Sequence, residues 1–190
     1  PSATIFSIGV NDGRAFHAPN CENSTQTGET LFDLSSFAVI SPDYSNGTTP
    51  TGVTGIELTG TSGPTRQISR VYLSDIDFVF RPNARATGVK IATAQGNRLG
   101  RLKIVAAETG IWIDNSSDTT VIDCFISSGS GAAVKIVGRN WDPATNLGEG
   151  IFISNIDSNG QAIGLQIEDQ SFGTATGCSF STCAIAGLAM

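Results

Sequence analysis

A short phrase recurs down the chain: Thr54-Gly55-Ile56-Glu57-Leu58, Thr87-Gly88-Val89-Lys90-Ile91 and Thr109-Gly110-Ile111-Trp112-Ile113. Degenerate copies follow at Ala133-Val134-Lys135-Ile136, Gly164-Leu165-Gln166-Ile167 and Gly187-Leu188-Ala189-Met190. Counted from the small residue, successive copies lie 33, 22, 23, 31 and 23 residues apart. A small residue followed by apolar–variable–apolar at a near-fixed interval marks coils that stack, each unable to bury its apolar face alone. This constrains the architecture to a solenoid.

The two long steps carry their excess in turn-rich segments: Gly60 to Arg66 and Arg81 to Arg85 in the first, Gly138 to Gly148 in the second. Between the phrases runs a second apolar beat: Val71/Leu73/Ile76/Phe78, Leu102/Ile104, Val121 to Ile126, Ile151/Ile153/Ile156 and Cys178/Phe180. Its period of two and its β-branched content predict strands with one buried face. No window holds helical spacing over the length of a normal helix. The expected fold class is all-β, a parallel β-helix with about 22–23 residues per rung.

On this rung pattern, on runs such as Val121-Ile122-Asp123-Cys124-Phe125-Ile126, and on small or polar residues at bends, residues 54–190 resemble the right-handed parallel β-helix proteins of the pectate-lyase-like superfamily. Among these proteins they resemble the trimeric tailspikes of bacteriophages. The resemblance implies a homotrimer on a phage virion or otherwise outside the cell, other tail proteins as neighbours, and a bacterial surface polysaccharide as ligand. It leaves the activity open, because enzymes, adhesins and structural spikes share the fold.

Residues 54–190 are read as the rungs, continuing past Met190, where the last copy stops inside a strand and leaves an open edge. Residues 1–53 do not scan with the same period and are read as an irregular leading coil or cap. Its strands are expected at Thr4 to Ile8, at Leu31 to Leu34 and at Phe37 to Ile40; His17, the single histidine, is read as a turn residue. No apolar run reaches the roughly 18 residues of a membrane span, so no insertion is expected.

The net charge of −6 conceals a segregation. Residues 66–103 hold eight basic side chains against Asp75 and Asp77, while the remainder holds three basic and fifteen acidic ones. Such a belt fits packing against the acidic flank of an identical subunit, a groove for an anionic polysaccharide, or solvated surface. The acidic total disfavours nucleic acid. Cys124 and Cys178 fall at equivalent rung positions about two coils apart. At ~4.8 Å per coil that is beyond disulfide reach, so they are expected as free inward thiols.

The variable residue of each phrase points outward between two inward neighbours. Stacking the phrases gives an outward column of Glu57, Lys90, Trp112, Lys135 and Gln166. Trp offers a flat apolar face to a sugar ring and Lys a cation to acidic sugars; the same residues also suit packing against a subunit or loop. The insertion after Lys135 adds Arg139 and Trp141 to the substrate-binding candidates. Glycoside hydrolysis needs two carboxyl groups about 5 Å or 6.5–9.5 Å apart. Asp114 and the pair Glu168-Asp169 follow equivalent strands, and Glu149 is placed between them; these four are the catalytic candidates. In a second pair, Asp75-Ile76-Asp77, one carboxylate is expected to face out. For a lyase, Lys90, Lys135 or Arg139 would supply the base. Asp114 to Asp118 lacks the glycine and distal glutamate of a calcium loop, and no phosphate cradle or serine-hydrolase elbow occurs. No metal and no cofactor is expected. The functions that follow are a tailspike-like β-helix that binds a bacterial surface polysaccharide and depolymerises it as glycosidase or lyase, or a non-catalytic structural or adhesive spike domain. A secreted monomeric lyase is the weaker third.

Overall fold

The computed structural model describes residues 4–21, 32–41, 50–60, 68–82, 84–138, 150–169 and 173–190, with backbone alone at 19–21, 68 and 69. Strands follow one another in short coils. The first are β1 (Thr4–Ser7), β2 (Arg14–Cys21), β3 (Phe32–Ile40), β4 (Thr54–Gly60), β5 (Ile68–Ser69) and β6 (Val71–Val79). Next come β7 (Thr87–Ala92), β8 (Ala94–Gln95), β9 (Arg98–Val105), β10 (Thr109–Asp114), β11 (Thr119–Ile122), β12 (Phe125–Ser127) and β13 (Ala132–Val137). The chain ends in β14 (Ile151–Ser154), β15 (Asp157–Asn159), β16 (Ile163–Glu168), β17 (Gly173–Thr176), β18 (Ser179–Ser181) and β19 (Ala186–Ala189). Among the described residues there is no helix.

Every repeated phrase is a strand of one sheet, ordered β2-β4-β7-β10-β13-β16-β19, with all pairs parallel. The second apolar beat forms the other wall, β1-β3-β6-β9-β11-β14-β17, with β12, β15 and β18 extending it beyond a bend. The short β5–β8 pair closes a third corner. The product is a parallel β-helix. β1 and β3 follow the apolar bursts of the first forty residues, and Phe6, Phe16 and Phe37 pack as one aromatic cluster with centroids 4.7 to 5.3 Å apart. His17 is not a turn residue: it lies in β2, paired with Glu57. Phe16 is the one large apolar residue there, with only Ala15 and Ala18 packed beside it against the core, too little to signal a strand in the sequence.

The glycine of the phrase is set by what faces it across the coil. A Cβ at Gly55 would come within 2.6 Å of Phe78 Cδ1, and one at Gly88 within 2.9 Å of Ile104 Cδ1. One at Gly110 would lie 2.7 Å from Ile126 Cγ2, and one at Gly164 2.6 Å from Phe180 Cδ1. Phe78, Ile104, Ile126, Ser158 and Phe180 are themselves one in-register column. Its small member, Ser158, occurs in the coil whose phrase begins with Ala133 instead of glycine. A large residue on the second wall thus goes with a glycine on the first, coil by coil, keeping the interior filled.

The second wall bends where Ser36, Asp75, Arg101, Asp123, Asn155 and Gly177 stack, all with φ between 50° and 63°. Left-handed backbone is uncommon for Ser and Arg, less so for Asp and Asn, and ordinary for Gly. Here it is held by the ladder and by side chains: Arg101 donates Nε and Nη2 to the two Asp75 oxygens, each at 2.7 Å, and Asn155 Nδ2 donates to Asp123 Oδ1 at 3.0 Å. Asp75 and Asp77 are both exposed, which corrects the expectation that one would turn inward, because residues two apart on a strand share a face.

Cys124, Cys178 and Cys183 are free thiols, and the side chain of Cys21 lies outside the described set. Burial pushes the Cys124 thiol up to about 11, and the residue is only 2 % exposed. Under native conditions at neutral pH, a maleimide should modify Cys178 and Cys183 well before Cys124, which becomes reactive in denaturant. Mass mapping of the labelled peptides checks the order; rapid native labelling of Cys124 would contradict this packing.

Candidate functional site

The outward column forms in register: His17 pairs with Glu57, Glu57 with Lys90, Lys90 with Trp112, Trp112 with Lys135, and Lys135 with Gln166. Its charged members have partners. Glu57, 7 % exposed, accepts from Arg14 Nε and from Lys90 Nζ at 3.0 Å, with His17 Nε2 at 3.6 Å. Burial opposes its charge, but the bonds from Lys90 and Arg14 outweigh burial and hold the carboxyl below its ordinary range. Lys90 Nζ and Lys135 Nζ stand 5.0 and 5.6 Å from the Trp112 ring centroid, and Trp112 Nε1 is buried without a hydrogen-bond partner. Lys135 Nζ also meets Glu168 Oε1 at 3.2 Å, and Gln166 Nε2 donates to that oxygen at 2.6 Å.

Asp114 and Glu168 share the adjacent outward column, both in register with Val137. Two strand spacings put their backbones about 10 Å apart. Glu168 is engaged by Lys135 and Gln166, and Asp169 sits exposed at a left-handed bend with φ 54°. Glu149, Arg139 and Trp141 lie outside the described residues.

A more open feature lies on the other wall. Two confluent clefts of about 340 and 420 Å³ cross β6, β9 and β11, sharing Tyr72, Arg98 and Thr120. These three stand side by side in successive strands, and Phe152 of β14, 45 % exposed, continues the row. From Tyr72 to Phe152 is three strand spacings, about 14 Å, with an aromatic ring at each end.

In the next row Gly100 stands between Ser74 and Ile122. A Cβ at Gly100 would meet Ile122 Cγ2 at 3.5 Å, an ordinary contact. Packing does not demand this glycine as it demands Gly88 or Gly110; its missing side chain opens the cleft floor. Arg98 lies against Tyr72, with the guanidinium carbon 5.9 Å from the ring centroid. Arg70 and Asp118 line one end, and Asp118 Oδ2 accepts from Gln95 Nε2 at 3.0 Å.

The profile of the family described as "Right handed beta helix region" matches residues 54–190. The chain belongs to the right-handed β-helix family. This β-helix is also similar in fold to a solved structure from Geobacillus virus E2, ORF18, with a TM-score of 0.54 at 10 % identity. The likeness covers 93 % of this chain and 34 % of that one, so the chain spans about a third of the viral protein's length. No curated protein matches the sequence.

The sequence shows the Trp112 column directly and offers a groove in the basic belt as one of three readings, but it does not single out Tyr72, Arg98, Thr120 and Phe152. A further signal was available in a glycine at 100 inside a strand where no turn was due.

Proposed function

We propose that this β-helix binds a bacterial surface polysaccharide as part of a phage tail protein, with the groove between Tyr72 and Phe152 as the glycan site. The observation that carries the reading is the groove itself: a strip along the sheet, aromatic at both ends, with a side-chain-free floor at Gly100 and polar side chains of Arg98, Thr120 and Asp118 along it. The Trp112 column offers less, since both lysines and both carboxylates there are already paired. Binding is favoured over cleavage because Glu168 is held by Lys135 and Gln166 and its nearest register mate, Asp114, is two strands away. The viral setting is supported by the fold likeness to the Geobacillus virus protein; trimer formation belongs to the same proposal and is read by sedimentation.

Immobilised protein is expected to retain capsular or O-antigen polysaccharide. Tyr72→Ala and Gly100→Val should weaken retention by roughly tenfold or more, one good contact's worth, while Trp112→Ala retains it. Loss in Trp112→Ala with retention in the groove variants would move the site to the Trp112 face. Release of new reducing ends would show cleavage and direct attention to Asp114 and Glu168.

A further inference from the structure

We propose that the groove selects an acidic saccharide, and that the Arg98 guanidinium is the group that receives the sugar carboxylate; this rests on the groove being the glycan site. Two other cations line the clefts. Arg101 is bound to Asp75, and Arg70 also has an interaction of its own. Among the described residues no carboxylate pairs with Arg98, which is exposed and whose contact is the Tyr72 ring. Lying against an aromatic ring orients a guanidinium while leaving its N–H edge available, and that edge matches a carboxylate with two parallel hydrogen bonds.

The neighbours fit this role. Gly100 clears the floor beside Arg98, so a sugar ring can sit within reach of the guanidinium. Thr120, next to Arg98 in the row, carries a hydroxyl that both donates and accepts. Asp118, steadied by Gln95, stands in the same cleft. It is an acceptor for sugar hydroxyls and disfavours a carboxylate at its own end, so the acid group is directed to Arg98. A neutral sugar leaves the guanidinium bond unmade, and added salt weakens an exposed charge pair.

The test is calorimetric titration with glucuronate-containing hyaluronan oligosaccharides and with the same oligosaccharides methyl-esterified at the carboxyl. Wild-type protein should bind the acid at least about tenfold more tightly than the ester, the scale of one charge-assisted bond. Arg98→Gln should lose that preference and bind both forms like the ester, with circular dichroism unchanged because Arg98 is a surface side chain. Gly100→Val should bind neither. Equal binding of acid and ester by the wild type, or an undiminished preference in Arg98→Gln, overturns the charge selection while leaving the groove as the glycan site. Failure of both forms to bind, or wild-type binding by Gly100→Val, overturns the groove reading itself.

Discussion

Gly110→Ala is expected to destabilise the protein by about 1–3 kcal/mol, the usual cost of forcing extra bulk into a filled core. The added methyl would meet the Ala133 carbonyl oxygen of the next strand and Ile126 Cγ2. A backbone oxygen in a parallel ladder cannot retreat without breaking its own strand pairing. Only the side-chain half of the clash is adjustable, so Ile126→Ala should relieve part of it. The single Ile126→Ala variant leaves a cavity at a fully buried site, at about 2–5 kcal/mol. The double variant should therefore fall short of the summed losses by a measurable coupling. Urea unfolding of the four proteins checks this. Strict additivity would mean that the glycine is not there to admit Ile126, and the account of the repeat would fail.

Replacing Glu57 by glutamine should lower stability at pH 7 by about 1–2 kcal/mol. Breaking a buried pair usually costs ~3–5 kcal/mol, reduced here because the Arg14 and Lys90 side chains are 37 % and 27 % exposed. The pH dependence follows from the sign of the shift. The folded carboxyl titrates below its ordinary value, so its contribution is fully present above about pH 4.3, the unfolded reference. It is lost as pH falls through the lower folded value. The gap between wild type and Glu57→Gln should thus be constant from pH 7 to about 5 and narrow in acid. Denaturant titrations at pH 7 and pH 3 measure it; a gap that persists at the lower pH would show that shape rather than charge makes the contribution.

How much was legible depended on whether neighbours in space were also equivalent in sequence. The Glu57–Lys90–Trp112–Lys135–Gln166 column followed from the phrase, because a repeated strand in register stacks equivalent positions and alternation fixes which side they face. The ion pairs within it were less so: Arg14 and His17 belong to β2, where the repeat has faded. The opposition of Gly55 to Phe78 crosses the coil, linking positions 23 residues apart by a route the period does not specify. The bend at Ser36, Asp75 and Arg101 carried no turn signature, since side chains so unlike are held there by ladder hydrogen bonds and by the Asp75–Arg101 pair.

By itself the sequence determined that the chain coils, which strands lie beside one another, and which residue of each phrase faces outward, because all three are consequences of period and alternation. Tertiary structure decided what those outward residues do. It closed Lys90 and Lys135 onto Glu57 and Glu168, and it set Tyr72, Arg98, Gly100 and Phe152 around one groove. The reason is physical: an outward direction is set locally by the backbone, whereas whether a charge is spent or available depends on which opposite charge the neighbouring coils bring within reach.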